Sequence, residues 1–108
     1  MNISFETRLL VSICSSLQAA EEALGASDAR ALISTISDIE AMGTAEELLA
    51  MFGTSARIVG DKSIEVGIGA RYRATFVPTG IRFRLTVDGV PDWATVRYLK
   101  LMDLSKQS

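Results

Sequence analysis

The hydrophobic periodicity of the chain changes once, at Gly53, and this change limits the possible folds more than any other feature. Before Gly53, apolar residues recur every three or four positions, which is the spacing of amphipathic helices. After Gly53, they alternate with polar residues, as in strands that are buried on one face. The pattern therefore predicts one α+β domain over residues 1–108, with a helical part at 6–52 and an antiparallel sheet at 55–104.

A short strand around Ile3 and Phe5 is predicted to open the chain. Three helices should follow, over residues 6–24, 27–43 and 44–53. The first two should form an antiparallel hairpin, because Gly25-Ala26-Ser27 supplies a stop and a new N-cap. Thr44 and Glu47 fit a capping box, in which a hydroxyl and a carboxylate satisfy free amide groups at the start of a helix.

The second half predicts strands at residues 62–68, 72–76, 81–87 and 95–104, the last of them mostly buried. Pro78-Thr79-Gly80 and Asp88-Gly89 supply turns between them. One face of this sheet should pack against the helices. The residues expected in that core are Ile64, Val66, Tyr72, Phe76 and Phe83 from the sheet and Leu10, Leu17, Ile36 and Ile39 from the helices.

The net charge of −2 conceals a strong asymmetry between the two halves. Residues 1–52 carry two basic and eight acidic side chains, a net −6, whereas residues 53–108 carry nine basic and five acidic ones, a net +4. Such a division is typical of a protein with a surface for a charged partner. The alternative is a dipolar protein whose two halves are simply solvated.

Four arginines are the strongest candidate site. Arg71 and Arg73 alternate with apolar residues in one predicted strand, and Arg82 and Arg84 do so in the next. If these strands pair across the turn at residues 78–80, four guanidinium groups share one face. Like charges across strands are unfavourable, so acidic residues of the chain, phosphates or an acidic partner should compensate them. A solvated, charged sheet face is the alternative.

Other chemistries have little support in the composition. The chain has no histidine, which removes the usual general base at neutral pH, and its single cysteine, Cys14, excludes a cysteine-rich zinc site and an internal disulfide. We expect no metal site and no cofactor. No apolar run is long enough to span a membrane and the start lacks a secretory signal, so a cytoplasmic protein is expected.

The order of a short strand, a helical hairpin and an antiparallel sheet resembles the RelE/ParE toxin superfamily, particularly its HigB-like branch. The local similarity runs from Arg57-Ile58-Val59-Gly60-Asp61 through Ile64-Glu65-Val66 to Tyr72-Arg73-Ala74-Thr75-Phe76. The resemblance implies the toxin of a bacterial type II toxin–antitoxin pair, with a cognate antitoxin as partner and either ribosome-bound mRNA or DNA gyrase as target.

The resemblance also implies roles for individual residues. As a metal-independent endoribonuclease, the chain would use Arg73 to hold the phosphate, with Tyr98, Lys100 and Asp103 near the reacting groups. Arg57 and Lys62 would be supporting cations, beside Arg71, Arg82 and Arg84. HigB-like sequences commonly end the last strand in an acidic-Tyr-His run, whereas this chain has Asp103-Leu104-Ser105. Both an active nuclease and a catalytically degenerate toxin are therefore open.

Two further functions are compatible with the same residues. A non-enzymatic adaptor could dock an acidic protein through the arginines. A direct nucleic-acid binder could add stacking on Tyr72, Phe83 or Trp93.

Overall fold

The computed structural model describes residues 1–80 and 82–106 of the chain. Its helices are α1 (Arg8–Ser15), α2 (Leu17–Leu24), α3 (Ala26–Ala41) and α4 (Ala45–Phe52). Its strands are β1 (Asn2–Phe5), β2 (Ala56–Val59), β3 (Ser63–Ile68), β4 (Tyr72–Pro78) and β5 (Tyr98–Lys106). The predicted α+β class and the short opening strand are confirmed, with one helix more than predicted and an additional strand, β2.

The five strands form one sheet in the order β1-β5-β4-β3-β2. The pairs β2–β3, β3–β4 and β4–β5 are antiparallel, whereas β1 lies parallel to β5 at the edge. A β-bulge interrupts the β4–β5 pair between Thr75 and Phe76, so that Leu101 lies opposite Phe76 and Asp103 opposite Thr75. The first and last strands are therefore neighbours in the sheet.

The core lies between the helices and one face of the sheet, as predicted. Ile64, Val66 and Phe76 are fully buried there, against helical residues that include Ile36 and Ile39. Leu10 is buried as well, whereas Tyr72 and Phe83 are only half-buried at its margin. The prediction for Leu17 was wrong, since this side chain is 45% exposed.

The first predicted helix is broken in two at Ser16. This residue is extended (φ −138°, ψ 121°), and its hydroxyl accepts a hydrogen bond from the backbone N–H of Ala19. Serine side chains compete with the backbone for hydrogen bonds inside a helix and favour a cap instead. The break interrupts the row of apolar residues predicted for one continuous helix. This explains why Leu17, at the start of α2, turns towards solvent.

The caps of the next two helices differ in detail from the prediction. α3 begins directly after Gly25 and has no side-chain cap, so Ser27 lies inside the helix. At α4, the Thr44 hydroxyl accepts from the N–H of Glu47 at 3.3 Å, and the Glu47 carboxylate accepts from the N–H of Gly43 at 2.9 Å. The predicted capping box therefore forms, with the carboxylate reaching one residue further back.

The predicted pairing of residues 72–76 with residues 81–87 was wrong. β4 pairs with β5 instead, and the segment 82–87 belongs to no strand. Ile81 lies outside the described residues. The predicted last strand begins later than expected, at Tyr98, and buries only Leu99 and Leu101 fully, because its other face is exposed. Trp93 lies in a 3-10 turn (Trp93–Thr95) just before that strand.

Residues 82–92 form a small projecting hairpin, which we call the arm. Leu85 bridges to Pro91, and the N–H of Thr86 donates to the carbonyl of Val90 at 2.8 Å, so the predicted turn at Asp88-Gly89 is its tip. Val87 at this tip is fully exposed. The chain leaving the arm is fixed to the helical layer, because the N–H of Ala45 donates to the carbonyl of Val96 at 2.9 Å.

Candidate functional site

The sheet face opposite the helices gathers four of the predicted site residues. Arg57 on β2, Arg73 on β4, and Tyr98 and Lys100 on β5 alternate with core residues of the same strands and so point away from the core. We call this surface, together with Glu65 and Thr75, the outer face. Lys100 lies opposite Val77, four positions from Arg73 along β4. The backbone positions of Arg73 and Lys100 are therefore about 13 Å apart along the strands.

Arg73 and Arg57 are both held by one carboxylate, Glu65 of β3. Arg73 donates to Glu65 Oε1 at 2.6 Å and Arg57 donates to the same oxygen at 3.2 Å. Gly67 lies directly opposite Arg73, and its missing side chain leaves space for the guanidinium to reach Glu65 two residues away. These hydrogen bonds, the one from Arg73 first, lower the pKa of Glu65. Glu65 is therefore a counter-ion at neutral pH rather than a proton donor.

Arg71 does not belong to the outer face. It lies in the turn between β3 and β4, where its Nε donates to Asp28 Oδ2 at 2.8 Å and a terminal nitrogen donates to the carbonyl of Leu24 at 3.0 Å. Asp28 is buried and also accepts from the N–H of Ala70. These hydrogen bonds, led by the one from Arg71, lower the pKa of Asp28, and the same pair raises the pKa of Arg71. Arg71 is thus a structural residue.

The remaining predicted catalytic residues, Tyr98, Lys100 and Asp103, all lie on β5. Lys100 forms an ion pair with Glu6 at 2.8 Å, and Tyr98 is 43% exposed at the start of the strand. Asp103 follows the bulge and lies directly opposite Thr75 of the outer face, and it also lines a cleft with Leu10 and Tyr72. By register Asp103 therefore belongs to the same side of the sheet as Thr75, between the positions of Arg73 and Lys100.

The charge asymmetry is partly compensated within the chain. The Asp28–Arg71 and Glu6–Lys100 pairs both join the acidic helical half to the basic half. In contrast, no carboxylate among residues 1–80 and 82–106 forms an ion pair with Arg82, Arg84, Arg97 or Lys62. Of these cations, Arg82 and Arg84 lie on the arm, and Arg97 and Lys62 line clefts shared with arm residues.

Two clefts lie beside the arm, and Phe83 lines both. One, of about 320 Å³, includes Lys62, Val77 and Leu85. The other, of about 310 Å³, lies between the arm and the start of β5, and we call it the arm cleft. The residues that line the arm cleft are Thr79, Arg82, Phe83, Thr95, Arg97 and Tyr98.

The four-arginine face of the sequence analysis does not exist as predicted, because Arg82 and Arg84 lie on the arm rather than opposite Arg71 and Arg73. Sequence reasoning also missed three charged residues of the site, Asp28, Glu65 and Arg97. Glu65 could have been found from the strand register, since it lies diagonally opposite Arg73. Asp28 lies more than forty residues from Arg71 in the chain, and its pairing has no local signal.

Cys14 is half-buried, and burial raises the pKa of its thiol to about 11. In the described ranges, 1–80 and 82–106, no group of three or more acidic or cysteine side chains is placed to hold a metal ion. No helix within these ranges is long and apolar enough to cross a bilayer. Comparison with protein-family models, with curated proteins and with solved structures finds no significant match.

Proposed function

We propose that this chain is the toxin component of a bacterial type II toxin–antitoxin module of the RelE/ParE kind, acting in the cytoplasm through its outer face. The observation that carries the proposal is the presence of Arg57, Arg73, Tyr98 and Lys100 on one exposed sheet face. The resemblance to HigB-like toxins implies roles for these four residues, together with Lys62 and Asp103.

The arrangement of these cations suits an extended polyanion. The backbone positions of Arg73 and Lys100 lie about 13 Å apart along the strands, and their side chains pair with two different carboxylates, Glu65 and Glu6. A strand of RNA or DNA crossing β4 and β5 would present successive phosphates to them. Affinity for such a ligand comes largely from counterion release, so it should fall steeply with salt.

The outer-face residues favour binding over rapid chemistry. Arg73 supplies a planar donor fork for phosphate oxygens. The pKa of Glu65 is lowered by its arginine partners, which makes this carboxylate a weak base. We therefore propose that blockage of the target contributes more to toxicity than cleavage does.

Induced expression in a bacterial host, read as growth, tests the proposal. The parent chain should arrest growth, and the double variant Arg73→Ala/Lys100→Ala should not. Arg30→Ala, an exposed arginine of α3, is the matched control and should remain toxic. Assays of mRNA integrity and of DNA supercoiling in arrested cells then separate the ribosomal target from gyrase. Harmless expression of a folded parent chain would contradict the proposal.

A second candidate function, an adaptor that docks an acidic protein, is favoured by a different observation. Arg82, Arg84 and Arg97 have no ion-pair partner in the part of the chain that the structure describes. An acidic peptide could pair with them without breaking an internal contact. Capture of an acidic protein by the parent but not by Arg82→Ala/Arg84→Ala, in cells whose growth is unaffected, would support the adaptor over the toxin.

A further inference from the structure

We infer that the arm cleft is a binding site for a nucleotide, with the phosphate held by Arg82 and Arg97 and the base stacked on Tyr98. The inference shares Tyr98 with the outer face but does not depend on the toxin proposal, because Arg82 and Arg97 hold the phosphate rather than Arg73 and Lys100. The shared ligand chemistry is a phosphate joined to a planar base, supplied either by a free nucleotide or by one nucleotide of a single strand.

The positive charge of the arm cleft favours an anionic ligand. Two guanidinium groups line it, and none of its lining residues is acidic. Neither arginine forms an ion pair with any other residue in the described ranges. Like charges that share a confined site are unfavourable, and a bound phosphate would accept hydrogen bonds from both planar donor forks.

The shape and the lining of the cleft select the rest of the ligand. Its volume of about 310 Å³ is at the lower end of the range typical of small-molecule sites. Tyr98 is 43% exposed, so part of its ring is available for a base to stack on. Stacking on an aromatic side chain tolerates any base, because every base has a π-face. The site should therefore recognise a nucleotide without strong base preference.

The walls of the cleft are held in place by hydrogen bonds. The hydroxyl of Thr95 accepts from the N–H of Arg84 at 2.9 Å and donates to the carbonyl of Asp92 at 2.7 Å. On the opposite wall, the N–H of Thr79 donates to the carbonyl of Tyr98 at 3.0 Å. Each wall of the cleft is thus held by its own hydrogen bonds, which reduces the entropy lost on binding.

Trp93, the only tryptophan, lies in the turn that ends in Thr95 and gives a direct readout. We would titrate the purified chain with a nucleoside monophosphate, with inorganic phosphate and with short single-stranded oligonucleotides, following tryptophan fluorescence and calorimetric heat. The parent should bind the nucleoside monophosphate more tightly than inorganic phosphate. Equal affinity for the two would overturn the role of Tyr98, and no binding at millimolar nucleotide would overturn the site.

Variants separate the arm cleft from general charge attraction. Arg82→Ala and Arg97→Ala should each weaken nucleotide binding at least about tenfold, the usual loss for a charge-assisted contact. Tyr98→Ala should weaken the nucleotide but leave inorganic phosphate unaffected, while Tyr98→Phe should retain both. Arg84→Ala, a cation of the arm outside the cleft lining, is the matched control. An equal loss in Arg84→Ala would show nonspecific attraction and contradict the inference.

A free nucleotide and a nucleotide within a single strand predict different results in this titration. If affinity is the same for a mononucleotide and for longer oligonucleotides, the ligand is a free nucleotide. If affinity rises with length and falls steeply with salt, the cleft holds one nucleotide of a strand. A chain that fails to arrest growth but still binds nucleotide through Arg82 and Arg97 would refute the toxin proposal alone.

Discussion

Arg71 and Asp28 join the turn between β3 and β4 to the first turn of α3, through a hydrogen bond of 2.8 Å from Nε to Oδ2. The second oxygen of Asp28 accepts from the N–H of Ala70 in the same turn, at 3.1 Å. Arg71 also reaches the carbonyl of Leu24 at the end of α2. One buried carboxylate thereby fixes the position of the sheet relative to two helices.

The ion pairs of Asp28 and Glu65 predict that the folded protein loses stability in acid. The pKa values of Asp28 and Glu65 are both lowered in the folded state, chiefly by hydrogen bonds from Arg71 and Arg73. Their contribution is complete above the unfolded pKa values of about 4 and is lost as pH falls through the lower folded values. Thermal melts should thus be nearly constant from pH 7 to 5 and fall below about pH 4.

The variant Asp28→Asn tests the assignment of this acid loss. It should melt lower than the parent at pH 7 and lose less on acidification, because its side chain no longer titrates. Asp38→Asn, an exposed acid further along α3, is the control and should follow the parent at every pH. Parallel curves for Asp28→Asn and the parent would exclude Asp28 as a source of the acid sensitivity.

Gly69 should be intolerant of a side chain because of the same carboxylate. Its φ is +59°, and a Cβ there would lie 2.2 Å from Asp28 Oδ1. Gly60 has a similar φ of +62° with open space around it, so Gly60→Ala isolates the backbone cost of about 1–3 kcal/mol. In urea unfolding, Gly69→Ala should cost clearly more than Gly60→Ala. Equal costs would show that Asp28 moves aside freely.

The free energy of unfolding that is lost when a large apolar side chain is truncated should depend on the burial of that side chain rather than on its size. Phe76 is fully buried, so Phe76→Ala should lower the free energy of unfolding by about 3–5 kcal/mol. Leu17→Ala should cost about 1 kcal/mol or less, since Leu17 is 45% exposed. Urea unfolding at pH 7 measures both losses in the free energy of unfolding. A cost for Leu17→Ala comparable to that for Phe76→Ala would contradict the break at Ser16.

Arg73 should matter more for toxicity than for stability. Its ion pair with Glu65 is partly exposed, and such pairs are worth up to about 1 kcal/mol. Arg73→Ala should therefore remain folded while losing growth arrest, and Arg73→Lys should restore arrest poorly, because a point charge cannot reproduce the donor fork. Circular dichroism melts and growth curves measure the two effects. If Arg73→Ala unfolds at 37 °C, its main role is structural.

The parts of the fold that depend on local patterns could be predicted from the sequence. The change of period at Gly53, the capping box at Thr44 and the strands around Val66 and Ala74 each follow from residues close in the chain. The partner of β4 could not be predicted in this way. Alternation shows that a segment can be a strand, but it does not choose between two such segments.

The structure shows why residues 98–106 pair with β4 in place of residues 82–87. β5 fills the space between β1 and β4 and buries Leu99 and Leu101 completely. In the segment it displaces, Leu85 and Val87 are exposed. This pairing also determines the candidate site. It places Arg82 and Arg84 on the arm, near Arg97, rather than opposite Arg71 and Arg73.

The parallel pairing of β1 with β5 has a consequence for how the chain folds as it is made. Residue 2 cannot pair with residue 98 until the ribosome has added 96 further residues, so β1 lacks its sheet neighbour while the helices and β2 to β4 are being made. Contacts between residues so far apart in sequence slow folding. Closure of the sheet by β5 should accordingly be the last step, and an incomplete chain should expose both β1 and the edge of β4.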